Sequence, residues 1–164
     1  MRHTKDPEID EQVRLFGESM RAERTESGFS QVALSEATGL DRAAISFLER
    51  AERSPDLSTL VRVARALETT PSAMLEGIGT ELHGFAQPSY RGVGREPEAR
   101  LGANLRAARH QAGLSQEALG FEAEVDRAAI SVYERGGRGP NLRTVLKLCR
   151  ALGLRPSQLL AGVQ

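Results

Sequence analysis

Two sets of side chains, 85 positions apart, are placed to do chemistry in this 164-residue chain. Arg42, Ala43, Ser46, Phe47 and Arg50 share one side of a helix, with 42, 46 and 50 in line and 43 and 47 beside them. Arg127, Ala128, Ser131, Val132 and Arg135 repeat the arrangement. Of 22 basic residues only Lys5 and Lys147 are lysines. A guanidinium fork makes bidentate contact with phosphate or guanine. Bond-making chemistry has nothing to rest on. His3, His83 and His110 are scattered, with no ligand partners at metal spacing. No nucleophile stands beside a base, and no glycine loop is shaped to cradle phosphate. The chain is therefore expected not to be an enzyme and to need no metal or cofactor.

The elements that position these residues are written twice. DRAAISFLER, from Asp41 to Arg50, returns as DRAAISVYER, from Asp126 to Arg135. Laid against itself at an offset of 85, without gaps, Arg14–Gly77 falls on Ala99–Gly162 with 28 identical pairs in 64. The pairs include Gly17/Gly102, Arg24/Arg109, Ser30/Ser115, Gln31/Gln116, Pro55/Pro140, Leu57/Leu142 and Pro71/Pro156. Such density means one structural unit duplicated, each long enough to fold if its core is tight.

Composition sets the class. The chain is 40% apolar and 27% charged, with a formal net charge of zero, as in a soluble globular protein. No apolar run approaches the roughly 18 residues of a membrane span. Residues 1–13 are polar, lack the apolar core of a signal peptide, and read as an N-terminal tail. The single Cys149 excludes an internal disulfide and fits a reducing, cytoplasmic setting. It replaces Ala64 on an apolar helix face, where a thiol packs as a small hydrophobe. Charge is segregated: 8 basic and 10 acidic residues in 14–77, against 10 and 6 in 98–164. The second copy has the stronger pull on a polyanion.

Each copy reads as five short helices, with no alternating pattern that would make a strand. The first covers Arg14 to Glu26 (Ala99 to Gln111) and stops at Gly28 (Gly113). The second starts on Ser30 (Ser115) and ends near Thr38 (Ala123). The third runs from an Asp41 (Asp126) cap to Arg50 (Arg135). The fourth covers Ser58 to Leu67 (Arg143 to Leu152), and the fifth is a short one from Pro71 (Pro156), closed by Gly77 (Gly162). Residues 78–97 hold four glycines and two prolines and read as a linker between domains at 14–77 and 98–164. As a flexible coil it would average roughly 25 Å end to end. Helices two and three, joined by three or four residues, have the form of a helix-turn-helix. Their close crossing asks for a small residue mid-way along the second helix, Ser35 or Gly120.

Each copy resembles the Cro/cI-type helix-turn-helix domain of phage repressors and of the xenobiotic-response-element (XRE) family of bacterial regulators. The residues that carry the likeness are G-F-S-Q-V-A-L at 28–34 and G-L-S-Q-E-A-L at 113–119. With them go the I-S-x-x-E-R blocks, P-x-L-x-T-L and P-x-L-x-T-V, and the Ala-Leu that ends helix four. Together they cover about four-fifths of the chain. The resemblance implies an all-α, lambda-repressor-like pair of domains that bind double-stranded DNA, the third helix of each entering the major groove. It implies that Ser30, Gln31, Ser115 and Gln116 lie at the DNA backbone, the glutamines bracing the reading side chains. Arg42 and Arg127 would read guanine, and Ala43 and Ala128 would offer a methyl to thymine. Ser46, Phe47, Ser131 and Val132 would complete the DNA face. Arg50, Arg53, Arg135 and Arg138 would meet phosphates. Arg24 with Glu49, and Arg109 with Glu134, match a structural ion pair of the family. Two features depart from the pattern. Glu124 stands where a turn glycine belongs, so that turn is strained or rebuilt. Ala51-Glu52 replaces a glycine-containing turn that Gly136-Gly137 keeps.

Family members bind as homodimers on half-sites about 34 Å apart. A duplication does the same within one chain, with the linker supplying effective concentration. The resemblance thus implies a cytoplasmic, bacterial, sequence-specific transcriptional regulator, a repressor being the expected form, nucleoid-associated when bound. The two copies would read similar half-sites, differing at Phe47 versus Val132. An internal pseudo-dimer and a homodimer both fit, as do direct and inverted repeats. The alternatives are an antitoxin-like or scaffold protein, using its acidic first copy to hold RNA polymerase or another protein, and a duplex binder without sequence preference.

Overall fold

The computed structural model describes residues 6–79 and 96–164, and all the elements named below lie within them. The expected linker falls almost wholly on residues outside that range. The first copy contains α1 (Pro7–Glu26), α2 (Gln31–Thr38), α3 (Arg42–Glu49), α4 (Leu57–Ala66) and α5 (Pro71–Met74). The second contains α6 (Pro97–Gln111), α7 (Gln116–Ala123), α8 (Arg127–Glu134), α9 (Leu142–Leu152) and α10 (Pro156–Leu159). No strand forms among the described residues; Asp56 and Asn141 make an isolated antiparallel bridge.

The helix starts follow from side chains that accept orphan N–H groups. The Ser30 and Ser115 hydroxyls each accept from the third residue of the helix that follows, at 3.0 Å. Asp56 and Asn141 do the same for α4 and α9 at 2.7 and 2.9 Å. Prolines open α1, α5, α6 and α10, where a missing N–H costs nothing.

Helix α1 differs from the sequence reading. It begins at Pro7, inside the stretch read as a polar tail, with Asp6 as its N-cap. The cause is an apolar stripe: Ile9, Val13, Phe16 and Met20, spaced by four, three and four, are all buried. The extra turns have no counterpart on α6. They pack on α9, where Arg150 pairs with Asp6 at 2.8 Å and Glu8 at 3.3 Å, and Arg143 with Asp10 at 2.6 Å.

The two copies do not hang apart. One continuous cluster of buried apolar side chains runs through both. Their contacts are reciprocal: α1 meets α9 while its equivalent, α6, meets α4, and α5 meets its own equivalent, α10. Asp56 pairs with Asn141, and the Ser72 hydroxyl donates to the carbonyl of Ser157 at 2.8 Å, each residue meeting the one 85 positions on. A surface that meets its own copy is isologous, the mark of two-fold symmetry. At the join the Leu142 N–H donates to the Pro55 carbonyl at 2.8 Å, and the Arg143 N–H to the Ser54 hydroxyl at 3.1 Å.

Candidate nucleic-acid interface

The third helix of each copy is locked before it presents anything. Ile45 and Ile130 are fully buried and fix the inner face of α3 and α8, with Leu48 and Tyr133 beside them. The first helix crosses at bare backbone. A Cβ on Gly17 would stand 2.7 Å from the Leu48 carbonyl oxygen, and one on Gly102 would collide with that of Tyr133.

An ionic clamp completes the lock. Arg24 donates to Glu49 at 2.5 Å and to the Phe29 carbonyl at 2.6 Å, and the Gln31 amide donates to Glu49 at 2.9 Å. Arg109 repeats this with Glu134 at 2.6 Å and the Leu114 carbonyl at 2.8 Å, and Gln116 donates to Glu134 at 2.9 Å. Each clamp ties the first helix, the turn after it, the start of the second and the end of the third. The carboxylate side chains are only 4% exposed. Burial pushes the Glu134 carboxyl upward, but hydrogen bonds from Arg109 and Gln116 outweigh it and hold it below the ordinary value. The Arg109 guanidinium is raised by the same bond.

Outside the lock, Arg42, Ala43, Arg127 and Ala128 are exposed at the start of the third helices. Ser46, Phe47, Ser131 and Val132 are half-buried along the same faces, and Arg50, Arg53, Arg135 and Arg138 are exposed beyond them. Ser30 and Ser115 are exposed, and Gln31 and Gln116 are half-buried on the clamps. Each of these sixteen residues has the same exposure class as its counterpart 85 positions away. Asp126 caps α8 through Ala128 N at 3.0 Å, whereas Asp41 makes no side-chain cap.

Both unusual turns keep the left-handed conformation. Glu124 has φ 51° where Gly39 has 65°, and Ala51 has φ 56° where Gly136 has 69°. The turn before α8 is therefore strained rather than rebuilt. Gly120 is the small residue that the crossing needs: a Cβ there would lie 2.7 Å from the Val125 carbonyl oxygen.

The two surfaces differ past the shared residues. Arg50 and Arg53 stack on the Phe47 ring, 5.5 and 5.1 Å from its centroid, and Arg50 pairs with Glu52 at 3.0 Å. In the second copy Val132 replaces the ring and Gly137 replaces Glu52. Sequence reasoning missed residues that join the two copies, from Ser54 to Leu57 and Gly139 to Arg143. The pairing of Pro55 with Pro140 and Leu57 with Leu142 in the repeat was the available signal.

Comparison with known proteins gives concordant findings. The helix-turn-helix family model (HTH_3) matches residues 20–73 and again 105–159. Repressor protein C2 of Salmonella phage P22 is 36% identical over 65 residues, 40% of this chain and 30% of that one. Control protein C.BamHI of Bacillus amyloliquefaciens is 42% identical over 50 residues, 30% of this chain and 62% of that one. Control protein C.SmaI of Serratia marcescens is 39% identical over 61 residues, 37% of this chain and 73% of that one. The chain thus spans under a third of the phage repressor and under two thirds of C.BamHI. The crystal structure of the restriction-modification controller protein C.AhdI from Aeromonas hydrophila is 40% identical, covers 38% of this chain and 94% of its own, and gives a TM-score of 0.37.

Proposed function

Since the chain belongs to the helix-turn-helix family in both of its halves, we propose that it is a DNA-binding transcriptional regulator that reads two similar half-sites with one polypeptide. The observation that carries this is the reciprocal packing of α5 on α10, α1 on α9 and α4 on α6. A two-fold carries α3 onto α8, so the half-sites are arranged as an inverted repeat. Packing, rather than the reach of a linker, sets their separation. Within each half, Arg42 or Arg127 takes guanine through O6 and N7, and Ala43 or Ala128 lies against a thymine methyl. Ser30, Gln31, Ser46, Ser115, Gln116 and Ser131 support the docking. Arg50, Arg53, Arg135 and Arg138 neutralise phosphates.

Repression is the mode we propose, by occupation of a promoter; one of the relatives is named a repressor and two are named control proteins. The test is selection from random duplex DNA with the intact chain, Arg42→Ala and Arg127→Ala. Two inverted, guanine-containing halves about one helical turn apart are expected, each substitution relaxing one half by about 1–3 kcal/mol. Direct repeats or two unrelated halves would overturn the two-fold reading. Enrichment of no motif would end the regulator reading and point to a protein partner.

A further inference from the structure

Phe47 is half-buried and stands outside the core cluster that spans the molecule. Its ring is not held by apolar neighbours of the core; the Arg50 and Arg53 guanidiniums lie over it. It sits one turn beyond exposed Ala43 on the same face of α3. Cation–π contact stiffens the ring at modest cost. A large apolar side chain held at the reading face by charged groups has a use when apolar surface comes to meet it. In the major groove the apolar feature of a base pair is the thymine methyl.

Position 132 offers no equivalent. Val132 is shorter, and its neighbour across the turn is Gly137, where even an added Cβ would lie 3.4 Å from a valine methyl. Everything earlier on the two faces is identical, from Asp41 to Ser46 and from Asp126 to Ser131. The reading faces of the two-fold thus differ at a single base-facing position.

Resting on the regulator reading above, we infer that Phe47 is a specificity-determining residue that demands a thymine at one step of its half-site, and that the chain therefore binds its operator in one orientation. Two separate identical subunits cannot do this, because exchanging them leaves the complex unchanged. Here the copy with Phe47 and the copy with Val132 are the same molecule, so the bound protein has a direction. An exposed feature of one copy alone then always falls on the same side of the operator.

The test selects sites with the wild type, Phe47→Val and Val132→Phe, then reads orientation. The native Cys149 is buried and its thiol is pushed far up by burial, so Glu117→Cys, at an exposed position on α7, can be labelled selectively with an iron–EDTA nuclease. Wild type should enrich an imperfect palindrome with a thymine preference of about fivefold or more in one half only, and labelled protein should cut at one end. Phe47→Val should abolish the preference, and Val132→Phe should place it in both halves. Identical halves with wild type, or equal cutting at both ends, would overturn the inference while leaving the regulator reading intact. A pool with no enriched motif removes both.

Discussion

Glu124 holds a left-handed backbone at φ 51° for the sake of the turn it closes, and a side chain in that conformation costs roughly 1 kcal/mol. Its carboxylate returns part of this through Lys147 at 2.9 Å, but it is 65% exposed, and an exposed pair returns a few tenths. The strain wins, so Glu124→Gly should raise the melting temperature by about 2–4 °C in calorimetry; an unchanged or lower midpoint would contradict the balance. Glu134 is the opposite case. Its carboxyl lies below its ordinary 4.5, with burial opposing and the Arg109 and Gln116 hydrogen bonds prevailing. A depressed carboxyl contributes stability in full above 4.5, and that contribution drains away as pH falls through the lower, folded-state value. Glu134→Gln leaves the Arg109 guanidinium buried without its charge partner and should cost about 3–5 kcal/mol near neutrality. Its urea-measured stability should also fall less steeply than wild type below pH 4.5, and parallel slopes would count against this assignment. Farther out, Glu52 neutralises Arg50 where the second copy has Gly137. Glu52→Gly should tighten operator binding and steepen its salt dependence by about one phosphate contact, seen as the slope of log affinity against log salt.

At the scale of elements, the caps and turns were legible because each needs one side chain at one place. Ser30 with Ser115 and Pro71 with Pro156 mark helix starts, and the offset of 85 writes each of these signals twice. The candidate surface was proposed from the same kind of signal, since Arg42 to Arg50 and Arg127 to Arg135 fall in one ten-residue phrase written twice, with Ser30, Gln31, Arg53 and their counterparts outside it. The start of α1 was written as plainly and was masked by composition: acidic neighbours hide the spacing of Ile9, Val13, Phe16 and Met20. What those turns pack against was not legible. Their partner, α9, lies across the two-fold, and a helical stripe names the face to be buried without naming what buries it. Two kinds of contact hold them there, and their sizes rank them. The pairs of Arg150 with Asp6 and Glu8 are part-exposed and contribute at most about 1 kcal/mol. Ile9 is fully buried, and truncation to alanine costs about 2–5 kcal/mol. Arg150→Ala should therefore shift the denaturant midpoint little and Ile9→Ala substantially; the reverse order would mean the acidic face is what docks this helix.

At the scale of the molecule, the duplication closes on itself. On the reading proposed above, α5 against α10 and the strip around Asp56 and Asn141 join two half-site readers inside one chain. Operator occupancy should then follow protein concentration with a slope of one, with no association threshold to cross first. The strip has a weak point in its geometry. Gly139 passes so close to Leu57 that a Cβ there would lie 2.5 Å from the leucine Cβ. The equivalent Ser54 has a side chain and uses it to accept from Arg143, so the two-fold is imperfect at this crossing too, and the Gly139 side of it has no room for a side chain. Gly139→Val must push the copies apart, at a cost of about 1–3 kcal/mol in overpacking. The atoms nearest the added Cβ belong to Leu57, and each clamp stays within its own copy. The helix content seen by circular dichroism should hold and each half-site should still be read, while affinity for the two-half operator falls because α3 and α8 no longer match its spacing. Lengthening the spacer between the halves by a base pair or two should recover part of the loss. If affinity stays at the wild-type level on the original spacing, the separation of the half-sites is set elsewhere than at this crossing.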